Sequence, residues 1–300
     1  MRFVVAGGLR IRVADTGRGS GPPLVLIHGL AGSIEVWEPL VPLLAAERRT
    51  LALDLPGHGH SDKPVDKPAD APDRSYGPDA LRRVIEDVLA VHDIARAVWI
   101  GNSIGGQIAL GAALAGSPRL SAAILINPTG VDPEAFAALL RRPGDIRARA
   151  GVAPTASLLD AALSLMFADP EGTAPRRLAA LRAAQAGSAD RAAHARAVMH
   201  VAVAARRAAQ QLDAHLASQL DRLRVPLSVV WGEADRLLGA ATPARLAAAG
   251  VPVARIPGAG HMPQLEAPDA VHRAIAGFLR DDSNVTPENP ALPVPRRFDP

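Results

Sequence analysis

In the stretch Gly101-Asn102-Ser103-Ile104-Gly105 a serine sits between two glycines, each two residues away. The apolar run AVWIG (97–101) before it reads as a strand, and the small-residue run GGQIALGAALA (105–115) after it reads as a helix. A sharp strand-to-helix turn holds a serine in a strained backbone conformation and leaves no room for side chains two residues to either side. The N–H groups opening the helix would then face the point where negative charge develops on an attacked carbonyl oxygen. That chemistry is nucleophilic acyl transfer. A G-x-S-x-G pattern arises by chance in about one chain in ten of this size, so the partners of the serine decide the matter.

A serine hydroxyl attacks only when a base takes its proton, and the base must be oriented by a third group. Of nine histidines, His261 in IPGAGHMPQLEAP stands in a glycine-rich loop between the last strand-like run and the last helical pattern. His92, His194, His200, His215 and His272 fall within helical patterns and read as surface or packing residues. For the acid, Asp235 in VVWGEADRLL follows a strand-like run, with Glu233 as its neighbouring competitor. Asp132 and Glu134, beyond the run that ends at Asn127, offer a second location.

These residues need a scaffold. The chain opens as a hairpin, RFVV and LRIRVAD around a Gly7-Gly8 turn. Continuous apolar runs follow at LVLIHG, TLALD, AVWIG, AAILIN and PLSVVWG, with PVARIPG a weaker sixth, as suits strands buried on both faces of a parallel sheet. Between them Leu81, Val84, Ile85, Val88 and Leu89, and later Val271, Ile275, Phe278 and Leu279, repeat at helical spacing. Strands alternating with amphipathic helices predict an α/β fold with a mostly parallel central sheet flanked by helices.

The alternation stops over 128–211, which is rich in Ala, Arg and Leu; Thr155, Thr173 and Ser188 are its candidate helix N-caps. This predicts a core of 1–127 and 212–280, a helical cap over 128–211, and a proline-rich tail over 281–300.

The serine, acid and histidine occur in the order Ser103, Asp235, His261, the order of an α/β-hydrolase. Over about residues 1–280 the chain resembles a capped member of that family, through HGLAGS (28–33), DLPGHGHSD (54–62), GNSIGG (101–106), WGEAD (231–235) and GAGHMPQLEAP (258–268). The resemblance implies a catalytic triad of Ser103, Asp235 and His261, with an oxyanion hole formed by the backbone N–H groups of Leu30 and Ile104. It also implies structural, hydrogen-bonding roles for His28, His58 and Ser61, and neither a cofactor nor a metal site, His58 and His60 included. Asn102 and Met262, beside the nucleophile and the base, are expected to contact substrate.

A serine in the turn argues against the dehalogenases and epoxide hydrolases of this fold, which place aspartate there. GNS is similar to the hydrolases that cleave carbon–carbon bonds in ring-fission products, but HGLAGS and Met262 depart from their pattern. The first expectation is therefore hydrolysis of an ester-type bond (carboxylic ester, lactone or thioester). A carbon–carbon hydrolase and a slow-turnover small-molecule receptor are the alternatives. Leu139, Leu140, Leu158, Leu159, Met166 and Phe167 would either line an apolar pocket for an acyl or ketone substrate or form the core of the cap.

Composition narrows the rest. A hydrophobic content of 48% over 300 residues is ample for a large core. The pI of about 10.1 suggests a nucleic-acid partner, yet the net charge is only +3, from 33 basic against 30 acidic residues, and the high pI follows from arginine replacing all but two lysines, Lys63 and Lys67. With aromatics at 3%, base-stacking platforms are also scarce. No cysteine is present, so disulfide and thiol chemistry are excluded. Gly7 and Gly8 interrupt the apolar opening run, and no stretch approaches the roughly 18 apolar residues of a membrane span, so a cytoplasmic protein is the default expectation.

Overall fold

Gly7 and Gly8 take left-handed φ values of 57° and 74°, as a two-residue hairpin turn requires, and so fold β1 (Arg2–Ala6) back antiparallel on β2 (Leu9–Asp15). The apolar runs become β3 (Leu24–Ile27), β4 (Thr50–Leu53), β5 (Ala97–Asn102), β6 (Leu120–Ile126), β7 (Leu227–Gly232) and β8 (Val253–Ile256) in a computed structural model of the chain. The structure describes residues 1–64, 76–132, 164–186, 191–213 and 216–281. Its strands form one eight-stranded sheet in the order β1-β2-β4-β3-β5-β6-β7-β8. The pairings of β1 with β2 and of β2 with β4 are antiparallel, and those from β4 onward are parallel. All six runs read as strands are strands.

Alternation along each buried strand divides the core in two. Val25, Ile27, Leu51, Leu53 and Trp99 face one layer; Leu24, Leu26, Ala52, Val98 and Ile100 face the other. Nine described helices surround the sheet: α1 (Val41–Ala45), α2 (Pro78–Val91), α3 (Ile104–Leu114), α4 (Thr173–Ala186), α5 (Arg191–Asp213), α6 (Leu216–Leu220), α7 (Ala241–Ala248), α8 (Pro263–Glu266) and α9 (Pro268–Arg280). Helix α2 starts with proline in its first turn and buries Leu81, Val84, Ile85, Val88 and Leu89 at helical spacing. Helix α9 does the same on the opposite face with Val271, Ile275 and Leu279. Helix α3 is buried on nearly every side, consistent with its lack of charged residues, and packs against β5, β6 and α2.

Within the stretch where alternation stops, α4 and α5 are the described helices, and α5 runs two residues past the expected boundary at 211. Thr173 is the first residue of α4 and so lies within the helix instead of capping it from outside. Thr155, Ser188 and the tail over 282–300 lie outside the described residues. So do Leu139, Leu140, Leu158 and Leu159. Met166 and Phe167 are buried in the second core layer beside Leu165 and Met262, which makes them core residues. Among the described residues no helix is long and apolar enough to cross a membrane.

Candidate active site

Ser103, Asp235 and His261 lie in loops at the C-terminal ends of the parallel strands, because each loop after a strand emerges at that one edge. Ser103 follows β5 with φ 57° and ψ −117°, a backbone state that β-carbons oppose and that persists only where the surroundings enforce it. They do so by close approach. A β-carbon on Gly101 would strike the Gly105 carbonyl, and one on Gly105 would strike the Ile27 carbonyl. The Ser103 N–H is bonded to the Ile126 carbonyl at 3.0 Å, and its own carbonyl accepts from Gln107 and Thr129, both at 3.1 Å. Ile104 opens α3, so its N–H has no partner within the helix. Gly29 lies so close that a β-carbon there would be 3.0 Å from that of Ser103, which brings the loop carrying Leu30 against the serine.

His261, 2% exposed, is held at three points. Its N–H donates to the Met166 carbonyl at 2.5 Å, its carbonyl accepts from Asn102 Nδ2 at 3.0 Å, and its Nδ1 donates to Asp235 Oδ2 at 2.8 Å. With Nδ1 bonded to a carboxylate, Nε2 is left as the basic nitrogen. Asn102 therefore ties the turn bearing the serine to the loop bearing the histidine. Its second amide contact, to the Ile126 carbonyl at 3.2 Å, is also with main chain. Met262 is 4% exposed and packs in the second core layer. The Asn102 amide nitrogen thus braces main chain, and the Met262 side chain packs in the core.

Asp235 follows β7. Its Oδ1 accepts the N–H groups of Leu237 and Leu238 at 2.8 and 3.0 Å, and its Oδ2 accepts from His261 and from Asn127 Nδ2, the latter at 2.7 Å. Burial alone would raise its pKa, but the adjacent His261, the Leu238 N–H and the Asn127 amide outweigh burial and hold it below the ordinary aspartate value. Glu233 instead points to the surface beside Arg255, 3.8 Å away. Asp132 closes the described run after β6, and Glu134 lies outside the described residues.

Asn127 was not singled out as a site residue by its sequence. It is fully buried, adopts a left-handed φ of 41°, and accepts from the Gly232 N–H at 2.9 Å while donating to Asp235. Asparagine is among the few non-glycine residues that tolerate this backbone state. Its partners lie more than a hundred residues away, so no local pattern marks it.

A second polar group orders the loops after β3 and β4. Buried Asp54 accepts from the N–H groups of Ile34 and His60 at 2.8 and 2.9 Å and from the Arg12 guanidinium at 3.2 Å. Ser61 Oγ donates to the Asp54 carbonyl at 2.7 Å and accepts from the Arg12 N–H at 2.9 Å. His28 bonds the Gly29 carbonyl through Nδ1 at 2.8 Å and accepts the Leu55 N–H at Nε2 at 3.0 Å. His58 bonds the Pro56 carbonyl at 3.1 Å. Burial lowers the pKa of His28 despite Asp54 nearby, and burial together with His28 lowers that of His58 well below the ordinary histidine value. Their bonds to main chain match the structural roles expected for His28, His58 and Ser61. The other histidines pack: His92 against the Val88 carbonyl, His194 against the Gly57 carbonyl, His200 beside Tyr76 and His272 beside Glu47. His215 lies outside the described residues.

Comparison with known proteins places the fold. The sequence pattern of the alpha/beta hydrolase fold family matches residues 22–268. The dihydrolipoyllysine-residue acetyltransferase component of the acetoin cleaving system of Pseudomonas putida is 32% identical over 275 residues, 91% of this chain and 68% of that protein. The 2-hydroxymuconate semialdehyde hydrolase of a Pseudomonas species is 33% identical over 133 residues, 43% of this chain and 44% of that protein. Among solved structures, the enol-lactonase from Burkholderia xenovorans superimposes with a TM-score of 0.70 at 25% identity, covering 93% of this chain and all of that one. By its sequence pattern and by its sheet, this chain belongs to the α/β-hydrolase fold family.

Proposed function

We propose that the chain is a serine hydrolase that cleaves an ester-type bond, a carboxylic ester, lactone or thioester, in a small molecule. The observation that carries this reading is the 2.8 Å bond between His261 Nδ1 and Asp235 Oδ2, on a histidine whose carbonyl is tied to Asn102, the residue just before the strained Ser103. In the reaction, Ser103 Oγ attacks the carbonyl carbon as its proton passes to His261 Nε2. The N–H groups of Leu30 and Ile104 stabilise the oxyanion. Collapse of the tetrahedral intermediate expels the leaving group, which takes the proton from His261, and leaves an acyl group on Ser103. A water deprotonated by His261 then attacks the acyl group, and a second collapse restores Ser103 and releases the acid. Asp235 keeps the imidazole in the productive tautomer and stabilises its cation. The inserted segment over 128–211 acts as a cap that supplies specificity.

Labelling with a fluorophosphonate probe, read by intact mass, tests this directly. The expected result is one adduct on the wild type, none on Ser103→Ala, and loss of ester turnover in that variant without unfolding. Unchanged ester turnover in Ser103→Ala would overturn the reading. A second reading, carbon–carbon hydrolysis, draws on the similarity to 2-hydroxymuconate semialdehyde hydrolase and on the GNS triplet at the turn. Loss of colour from a ring-fission dienoate, with poor turnover of short esters, would favour it.

A further inference from the structure

Four hydrogen bonds meet around the backbone of the histidine loop, and one partner has no part in the reaction described above. Glu266, at the end of α8, accepts the Gly260 N–H at Oε1 and the Ala168 N–H at Oε2, both at 2.9 Å. Gly260 is the residue before His261, and Ala168 lies in the inserted segment just beyond Met166, whose carbonyl accepts the His261 N–H at 2.5 Å. The fourth bond, from Asn102 Nδ2 to the His261 carbonyl, comes from the side of the serine. The contact between the two segments is tight: a β-carbon on Gly260 would strike the Met166 carbonyl and lie 2.9 Å from Phe167 Cα.

Resting on the hydrolase reading above, we propose that Glu266 is a positioning residue that clamps the His261 loop to the inserted segment, so that the histidine reaches the serine only while that junction is closed. One carboxylate with two acceptor oxygens is the chemistry that can hold two converging N–H groups from separate segments. A glutamine can satisfy one of them through its oxygen but turns an NH₂ group towards the other. Burial pushes the Glu266 carboxyl above the ordinary glutamate range, against the pull of the Ala168, Gly260 and Met262 N–H groups and of His261. The clamp is therefore made at a desolvation cost, which a surface glutamate would avoid by turning to water.

The test is the rate at which a fluorophosphonate phosphonylates Ser103, a step that needs a correctly placed His261 but few substrate contacts. It is read alongside kcat and KM for a short ester in wild type, Glu266→Gln, Glu266→Ala and the surface control Glu233→Ala. A misplacement of about 1 Å costs on the order of 100-fold, so labelling and kcat should fall about 3- to 10-fold in Glu266→Gln and about 10- to 100-fold in Glu266→Ala. KM should change less than about threefold, and Glu233→Ala should match wild type. If Glu266→Ala does not fold, the Gln variant carries the test, with its melting temperature as the check on folding. A folded variant that labels at the wild-type rate, or a loss confined to KM, overturns the positioning role while leaving the hydrolase reading intact. A wild type that takes no adduct overturns the hydrolase reading, and the positioning role with it.

Discussion

The floor of the site and the inserted segment that meets it are held by different kinds of bond. The floor is built from buried polar side chains (Asp54, Asn102, Asn127 and Asp235), each bonded to two or more groups from other loops. At the junction with the inserted segment, that segment offers mainly backbone: the Met166 carbonyl, the Ala168 N–H, and the Ala205 carbonyl that accepts from Gln107 at 2.8 Å. Side chains reach across as well: His194 to the Gly57 carbonyl, Arg177 to Glu38, and His200 beside Tyr76. A hydrogen bond made by backbone is indifferent to most side-chain changes, whereas one made by a side chain is not.

This contrast makes graded predictions. The largest effect falls on the turn bearing the serine. Gly105→Ala puts a β-carbon into the Ile27 and His28 carbonyl oxygens, and should cost more than about 3 kcal/mol in urea unfolding and abolish activity, since neither obstacle is a flexible side chain. A stable, active Gly105→Ala protein would mean that the floor is looser than its contacts imply.

Next comes Asn127→Ala, which strips a donor from Asp235 and an acceptor from the Gly232 N–H in a fully buried place. Leaving such groups unpaired costs about 2–3 kcal/mol, and kcat should drop about 10- to 100-fold as the acid loses its fixed position. Equal stability and turnover in this variant would remove Asn127 from the site.

A smaller, graded effect is expected with pH. The folded-state pKa values of His28 and His58 lie below their unfolded values. Their contribution to stability is therefore full above the ordinary histidine value of about 6.5 and is lost as pH falls below it. Asp235, also depressed, adds a further loss once pH falls below the ordinary aspartate range. Melting temperature should fall from pH 7.5 to pH 5.5, and His58→Gln, which keeps a donor and removes the titration, should flatten that slope. Parallel slopes in the two proteins would refute the assignment to His58.

The smallest effect belongs to the inserted segment. Met199→Ala on α5, at a position 54% exposed, should change stability by less than about 0.5 kcal/mol and leave ester turnover unaltered. A large loss would mean that Met199 makes a contact its exposure does not suggest.

How far these regions were legible follows from the distance over which their constraints act. The strands at 24–27, 50–53, 97–102, 120–126 and 227–232 are plain in the sequence, because burial on both faces demands an unbroken apolar run. The turn at Ser103 is equally plain, since its geometry excludes side chains at fixed offsets. The inserted helices α4 and α5 show a weaker signal: a surface rich in alanine gives little contrast between its faces.

Local spacing and alternation by themselves determined the sheet, the turn of Ser103 and the loops that carry Asp235 and His261. Only the tertiary structure decided that Asp235, and not Glu233, bonds the ring of His261, because the path of the chain after β7 turns one carboxylate inward and the other to Arg255. It likewise brought the Asn102 amide to the His261 carbonyl, Asn127 to Asp235 and Glu266 to Ala168. Each of these bonds joins groups far apart in the chain, and a hydrogen bond is a relation between positions in space that spacing along the chain does not encode.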